Sequence, residues 1–591
     1  MPRRSDRSGG PSDEVLAVAA LGGLAFVAVA GLWVSLHLSA ALTGSPDAPA
    51  ANPAGLIADV VAGRTSWTTG ATVSAVALGV LAFLVVLFFA GRGGPRTDAD
   101  PAARHMASRR HLRELTQAGA ARTAKRLGVD EKRPGLPLGT SVRFKTALYS
   151  GWEYMVVVLA GPRTMKTTAY AIPAAMSAPG ALLVTSNKRD LVEATRRSRE
   201  AFGRVWVFDP QGVARSSPDA EPTWWWNPLT YIAPHDRTLG CAARDPYGKV
   251  LADPAKAEKL AAQLAMASKP EGSKSDAYFD PEAENLIGLL LLAAAAGEVP
   301  ITTVYEWATD PTRPDPMRLL EEHGYVQQEQ SLRALSLLAD KQRDGVYGTA
   351  RARLGFLRNQ RYCQWITAPA DPWTPQFHPA EFAGSTDTLY PLSKEGQGSA
   401  GPLVAALTMA VIDALEERAT DSPGGRLPVP FVGVLDEAAN ICRFRDLDSL
   451  YSHFGSRGIV LMTILQNWAQ GEVVWGEKGM EKLWSAANVR VYGGGVDDDR
   501  FLGRLSKLVG TYEHQTRSRT SGGRGGPSRT HSVQEQPILS PADLRELNGR
   551  AVVFASGAPA VLIKPQPWFA GPHAAAINAN LAVSAADRSV R

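Results

Sequence analysis

Lys166 and Thr167 stand side by side just beyond an apolar run, Glu153 to Ala160, that reads as a buried strand. Between strand and lysine lies a short loop, Gly161, Pro162, Arg163, Thr164 and Met165, and after Thr167 and Thr168 the sequence becomes helix-compatible. Strand, tight loop, Lys-Thr and helix is the P-loop layout. In that layout backbone N–H groups and the helix N-terminus surround phosphates, the ammonium reaches the β- and γ-phosphates, and the next hydroxyl binds Mg²⁺. ATP and Mg²⁺ are therefore the expected cofactors, with residues 161–168 as the binding loop. The loop departs from the pattern G-x-x-x-x-G-K-[ST]. Aligned on Lys166, Ala160 and Met165 occupy the glycine positions, and aligned on Gly161-Pro162 the loop is one residue short. A Cβ at Met165 restricts the backbone, so either the loop is rebuilt or nucleotide binding is weakened.

A second apolar run, Pro428 to Leu435, ends in Asp436 and Glu437. Two carboxylates closing a buried strand are costly to desolvate unless they have work to do. Beside a P-loop, Asp436 suits Mg²⁺ and Glu437 suits the water that attacks the γ-phosphorus. A third run, Gly458 to Leu465, delivers Gln466 to the strand end where ligands collect in open α/β sheets, so Gln466 is a candidate γ-phosphate or water sensor.

These side chains need a scaffold that brings strand ends together. Further strands are expected at Ala181 to Ser186, Val205 to Phe208, Thr388 to Pro391, Val489 to Tyr492, Ala551 to Ala555 and Ala560 to Ile563, alternating with helical stretches such as Pro402 to Arg418. That alternation specifies a largely parallel sheet covered by helices. Between about Pro254 and Leu357 the pattern is helical without a convincing strand, as in an all-α insertion. The fold class expected is α/β, a P-loop NTPase domain with an all-α insertion.

The 591 residues leave room for several structural units, and 55 glycines with 41 prolines fall short of a low-complexity composition. A net charge of only +5 excludes a histone-like polyanion binder, so any nucleic-acid surface must be a local patch. The three cysteines lie far apart without a CxxC, and the ten histidines form no zinc pattern, which argues against a disulfide framework or structural zinc. Arg517, Arg519, Arg524 and Arg529 lie in a Ser/Thr/Gly-rich stretch, Glu513 to Gln536, that reads equally as a phosphate-tracking or a simply solvated loop. Trp224, Trp225 and Trp226 read as a buried edge rather than a base-stacking platform.

Two apolar stretches near the N-terminus are long enough to cross a bilayer, and spans are expected at 15–37 and 69–91. A cleaved signal peptide competes for the first, but its apolar run exceeds the usual h-region. Arg3, Arg4 and Arg7 before the first span and a cluster of arginines after the second place both termini in the cytoplasm, making a multi-pass cell-membrane protein the expectation. The chain then divides into a membrane anchor (1–99), a basic juxtamembrane segment (100–140), two parts of a nucleotide-binding domain (141–253 and 358–575) flanking the all-α insertion (254–357), and a C-terminal tail (576–591).

Taken in order, the N-terminal spans, the Gly-Pro P-loop, Val184 to Asp190, Phe208-Asp209-Pro210, Trp226 to Leu229, the helical insertion, Leu435 to Ile441, Phe454 to Gly458 and Ile464 to Gln466 resemble the TraG/TraD-like coupling ATPases of type IV secretion and conjugation. The stretch from Asp436 to Gln466 carries most of that resemblance, and the P-loop carries least. It implies a RecA-like motor that assembles as a hexamer, receives relaxase-bound single-stranded DNA and feeds a type IV secretion channel. By matched position it makes Arg457 an arginine finger acting on the neighbouring subunit. Two rivals remain: a septal-type double-stranded DNA translocase, and a catalytically silent membrane scaffold that recruits a protein substrate, for which Met165 is the best evidence.

Overall fold

The computed structural model describes residues 97–589 except 215–220, 237–240, 271, 274, 397 and 521–527, together with scattered residues of the first 96. The chain falls into two units, Met1–Arg96 and Thr97–Arg591. In the first, a helical run covers 33–38, where Leu36 and Ala71 are buried and Trp33 packs against them. Most of the expected spans at 15–37 and 69–91 lies outside the described residues. The multi-pass membrane location, with both termini cytoplasmic, is overturned. Among the described residues no helix is long and apolar enough to cross a membrane.

The strands of the second unit, in chain order, are β1 (Leu136–Ser141), β2 (Ala147–Ser150), β3 (Val156–Leu159), β4 (Leu182–Thr185), β5 (Val205–Phe208), β6 (His235–Asp236), β7 (Cys241–Ala242), β8 (Thr388–Pro391), β9 (Phe431–Leu435), β10 (Ile459–Leu465), β11 (Val489–Tyr492), β12 (Thr511–Thr520), β13 (Ser528–Pro537), β14 (Ala551–Ala555) and β15 (Val561–Lys564). Eleven of them form one sheet in the order β2-β1-β15-β14-β11-β3-β10-β9-β4-β8-β5. From β11 to β5 every neighbouring pair is parallel. From β11 to β2 every pair is antiparallel.

Helices cover both faces of the parallel part, so β3, β4, β8, β9 and β10 are buried at every residue. This is why they read as continuous apolar runs rather than alternating ones. The helix Gly401–Asp421 buries Leu403, Leu407, Val411 and Leu415 on one side of the sheet. Residues 254–353 form six α-helices, from Pro254–Ala267 to Asp340–Arg353. Leu260 and Leu264 of the first share a core with Leu403 and Leu407, and Lys259 pairs with Asp413 at 2.7 Å, so these helices pack directly on the sheet's cover.

The segment 100–140, read from sequence as a basic juxtamembrane segment, packs on the sheet domain. Leu112, Leu115 and Ala124 are buried, Ala107 N–H donates to the Ala560 carbonyl at 2.9 Å, and the helix Gln117–Arg126 is capped by Thr116. Apolar residues scattered among the arginines supply that buried side. At the other end of the chain the helix Ala574–Ser589 lies on the helix Asp190–Glu200, where the Asn580 amide donates to the Ala194 carbonyl at 2.6 Å.

Candidate nucleotide site

The switch point of the sheet sets the site. Strand β3 has β10 on one side and β11 on the other, so its trailing loop emerges between two strand ends. Ala160 N–H donates to the Leu465 carbonyl at the end of β10, and Gly161 N–H donates to the Gly494 carbonyl beyond β11, at 3.1 and 2.9 Å. A Cβ on Gly161 would lie 1.9 Å from the Gly495 carbonyl oxygen, so this position admits only glycine.

Met165 has φ +64° and Arg163 φ +59°, both in the left-handed region. The loop is therefore not rebuilt around the methionine. Met165 holds the backbone conformation that suits glycine, at a cost of about 1–2 kcal/mol. The loop closes on itself: Thr164 Oγ1 and Lys166 Nζ both donate to the Gly161 carbonyl, at 2.6 and 2.9 Å, and Thr168 Oγ1 donates to the Met165 carbonyl at 3.2 Å. A widened π-helical turn, Thr167–Ala171, then leads into the helix Ile172–Ser177. Pro173, which has no N–H to donate, is the second residue after that widened turn.

Strand β9 leads into Asp436 and β10 into Gln466, and both converge on the loop. Thr167 Oγ1 donates to Asp436 Oδ2 at 3.1 Å, and Gln466 Nε2 donates to Glu437 Oε2 at 2.7 Å. Thr185, at the end of β4, donates to the Asp436 carbonyl at 3.2 Å. Glu437 is itself left-handed, with φ +54°, which turns its carboxylate from the strand axis toward β10. Lys166, Asp436 and Glu437 are all buried.

Burial, reinforced by the neighbouring Glu437 charge, pushes the Asp436 carboxyl up to about 7 against the opposing pull of Thr167 and Lys166. Burial also lowers the Lys166 ammonium, and the Glu437 and Asp436 charges oppose that shift. Asp436 Oδ1 is buried with no hydrogen-bond partner. An oxygen-seeking cation is the partner such an atom lacks, so Asp436 with Thr167 fits Mg²⁺. Among the described residues no group of three or more His, Cys, Asp and Glu could hold a metal.

Arg457 stands apart from this group. It precedes β10, whereas Gln466 follows it, and the seven residues of β10 alone span roughly 20 Å. Its guanidinium donates to Thr420 Oγ1 at 2.7 Å and lies 3.4 Å from Glu416, both on the helix Gly401–Asp421. Trp224 and Trp226 are buried, with Trp224 packed among Trp206, Phe208, Trp365 and Phe377, as the sequence suggested. The arginine-bearing loop contains instead the ribbon of β12 and β13, paired from Thr511 with Pro537 to Thr520 with Ser528.

Sequence reasoning missed a second tier behind the carboxylates. The exposed Glu395, on the loop after β8, accepts hydrogen bonds from the Asn187 amide at 2.6 Å and the Asn440 amide at 3.2 Å. Asn440 N–H in turn donates to the Glu437 carbonyl at 2.9 Å. Asn187 and Asn440 lie within stretches that carried the family resemblance, but Glu395 sits in a polar loop without any periodic signal.

Residues 430–549 match the family model described as the TraM recognition site of TraD and TraG. Over these residues the chain is TraG/TraD-like. Its fold is similar to that of the unbound monoclinic form of the bacterial conjugative coupling protein TrwBdeltaN70, at 15% identity and a TM-score of 0.51, covering 73% of this chain and 88% of that one. The plasmid coupling protein TrwB in complex with ADP and Mg²⁺ aligns at 14% identity and a TM-score of 0.48, over 70% of this chain and 86% of that one. VirB4 of Thermoanaerobacter pseudethanolicus aligns at 13% identity and a TM-score of 0.39, over 75% and 98%. No curated protein matches the sequence. In this TraG/TraD-like chain the matched residues 430–549 include Asp436, Glu437, Arg457 and Gln466.

Proposed function

We propose that the chain is a P-loop ATPase that couples ATP hydrolysis to recruitment and transfer of DNA, or a relaxase-DNA substrate, to a type IV secretion or conjugation channel. The observation that carries the reading is the meeting of Lys166, Thr167, Asp436, Glu437 and Gln466 at one end of the parallel strands. Lys166 leaves the Gly161 carbonyl and takes the β- and γ-phosphates. Thr167 and Asp436 hold Mg²⁺, which when bound neutralises charge on those phosphates. Glu437 accepts a proton from the attacking water, and the Gln466 amide, bonded to that carboxylate at 2.7 Å, aims it.

Arg457, remote from its own site and half-buried on a loop beside Thr420 and Glu416, suits a role in the neighbouring site of a ring, with a hexamer as the assembly the family resemblance implies. The catalytically silent scaffold is disfavoured because Met165 keeps the glycine-like backbone. The test is Mg²⁺-dependent ATP turnover by the full chain with and without single-stranded DNA, compared with Lys166→Ala and Glu437→Gln. Turnover in the wild type and its loss in both variants is the expected result. Equal inactivity of all three, with assembly verified, sinks the motor reading.

A further inference from the structure

Behind the Asp436-Glu437 turn lies an open groove of about 1060 Å³, bounded by the ends of the helices Pro254–Ala267 and Asp340–Arg353, the start of the helix Gly401–Asp421 and the short helix Ala438–Ile441. It is at the upper limit of small-molecule sites, which run to roughly 1,000 Å³. Its lining is cationic: Lys269, Arg353, Arg358 and Arg443 contribute positive charge, and Glu395 is the acid among the lining residues.

The balance is not cancelled locally. Asp280 serves both Lys269 and Arg353, at 3.0 and 2.9 Å. Arg443 is held by the Ala439 and Lys269 carbonyls, which leave its charge intact. Arg358 is exposed at the mouth. The Glu395 carboxylate is engaged by Asn187 and Asn440. Positive charge is thus spread over Lys269, Arg353 and Arg443, which Asp280 and the Lys269 carbonyl tie together, and over the exposed Arg358. That is the arrangement of a track for a polyanion rather than a pocket for one anion.

The loop carrying Glu395 is fixed at its base. Gln211 Oε1 accepts from Ser393 Oγ, Lys394 N–H and Ala400 N–H at 3.0, 2.8 and 3.0 Å, and Tyr362 donates to the Gly398 carbonyl at 2.7 Å. Its free end touches the groove on one side and Asn440, three residues after Glu437, on the other. We propose that this groove takes the phosphate backbone of a single nucleic-acid strand, and that Glu395, as a positioning residue, reports the occupied groove to Glu437 through Asn440. The proposal deepens the ATPase reading and rests on it for the reporting step alone.

The test uses the full chain and a labelled thirty-nucleotide single strand, with binding read by fluorescence anisotropy in the absence of nucleotide. Arg358→Glu should weaken binding about tenfold at low salt and flatten the log–log salt dependence by about one. Arg122→Glu, an equal charge change on an exposed helix outside the groove, should change binding less than twofold. Absent wild-type binding, equal effects of the two reversals, or tighter binding of polyglutamate at the same site would overturn the groove assignment.

For the reporting step, Glu395→Ala should bind the strand but lose its stimulation of ATP turnover, with Glu395→Gln partly restoring it. Stimulation that survives Glu395→Ala, or that is absent from the wild type, overturns that step. Binding without turnover would fail the ATPase reading while leaving the groove in place.

Discussion

Two turns face each other across the candidate site, and they are held in opposite ways. The turn from Gly161 to Thr168 is closed mainly by its own carbonyls, with Thr164, Lys166 and Thr168 all donating within the loop and only Gly161 N–H and Thr167 reaching outward, to Gly494 and Asp436. The turn at Asp436 and Glu437 is held from outside, by Thr167, by Thr185 on β4 and by Gln466 after β10. Both contain a non-glycine residue in the left-handed region, Met165 and Glu437. A self-contained loop can exchange its internal bonds for phosphate oxygens without disturbing the sheet. A turn tied to several strands cannot move alone, so it is the one suited to hold a reacting water and to sense events elsewhere.

The contrast can be broken by substitution, beginning where the effect is largest. Glu437→Gln should lower kcat by about 10²–10⁴-fold while nucleotide still binds, and Lys166→Ala should lower it by about 10²–10³-fold and weaken nucleotide binding as well. Equilibrium binding of a fluorescent ATP analogue beside steady-state turnover separates the two. Gln466→Ala removes a hydrogen bond to a charged group, worth about 1.5–3 kcal/mol, and should cost roughly 10–100-fold in kcat with KM little changed. Thr185→Val should destabilise the fold by about 1–2 kcal/mol in denaturant titration, because the outside-held turn loses an anchor. The smallest effect belongs to the self-contained loop. Met165→Gly should gain about 1 kcal/mol relative to Met165→Ala, which keeps the strained Cβ, and the gain should register as a raised Tm. A larger effect of Met165→Gly than of Thr185→Val would reverse the comparison.

Much of the parallel sheet was legible in the sequence because burial on both faces writes itself as an unbroken apolar run. Val205–Phe208, Thr388–Pro391, Val489–Tyr492 and Ala551–Ala555 appear at the expected residues. The strands that escaped notice are those with another signature. Strands β1 and β2 are short and antiparallel, with a register shift between Pro137 and Gly139. The ribbon of β12 and β13 is built from polar residues paired through their backbones, so nothing in its hydropathy separates it from a loop. In the site, Lys166, Thr167, Asp436, Glu437 and Gln466 were readable because strand ends gather ligands in this kind of sheet. The link through Glu395 was not, because it depends on one loop meeting two distant asparagines. The expected spans at 15–37 and 69–91 lie mostly outside the described residues, and among the described residues no helix is long and apolar enough to cross a membrane, which corrects the multi-pass location.

The order of strands also constrains how the molecule comes into being. Within the sheet, β1 and β2 reach the parallel strands only by way of β15 and β14, which follow them by more than four hundred residues. Early-emerging strands must therefore wait, edge exposed, for late ones. Such high contact order slows folding and leaves an unpaired edge open to aggregation. The packed segment before β1, with Leu112 and Leu115 buried and Tyr149 N–H of β2 bonded to the Leu115 carbonyl at 2.7 Å, gives that waiting hairpin a cover of its own.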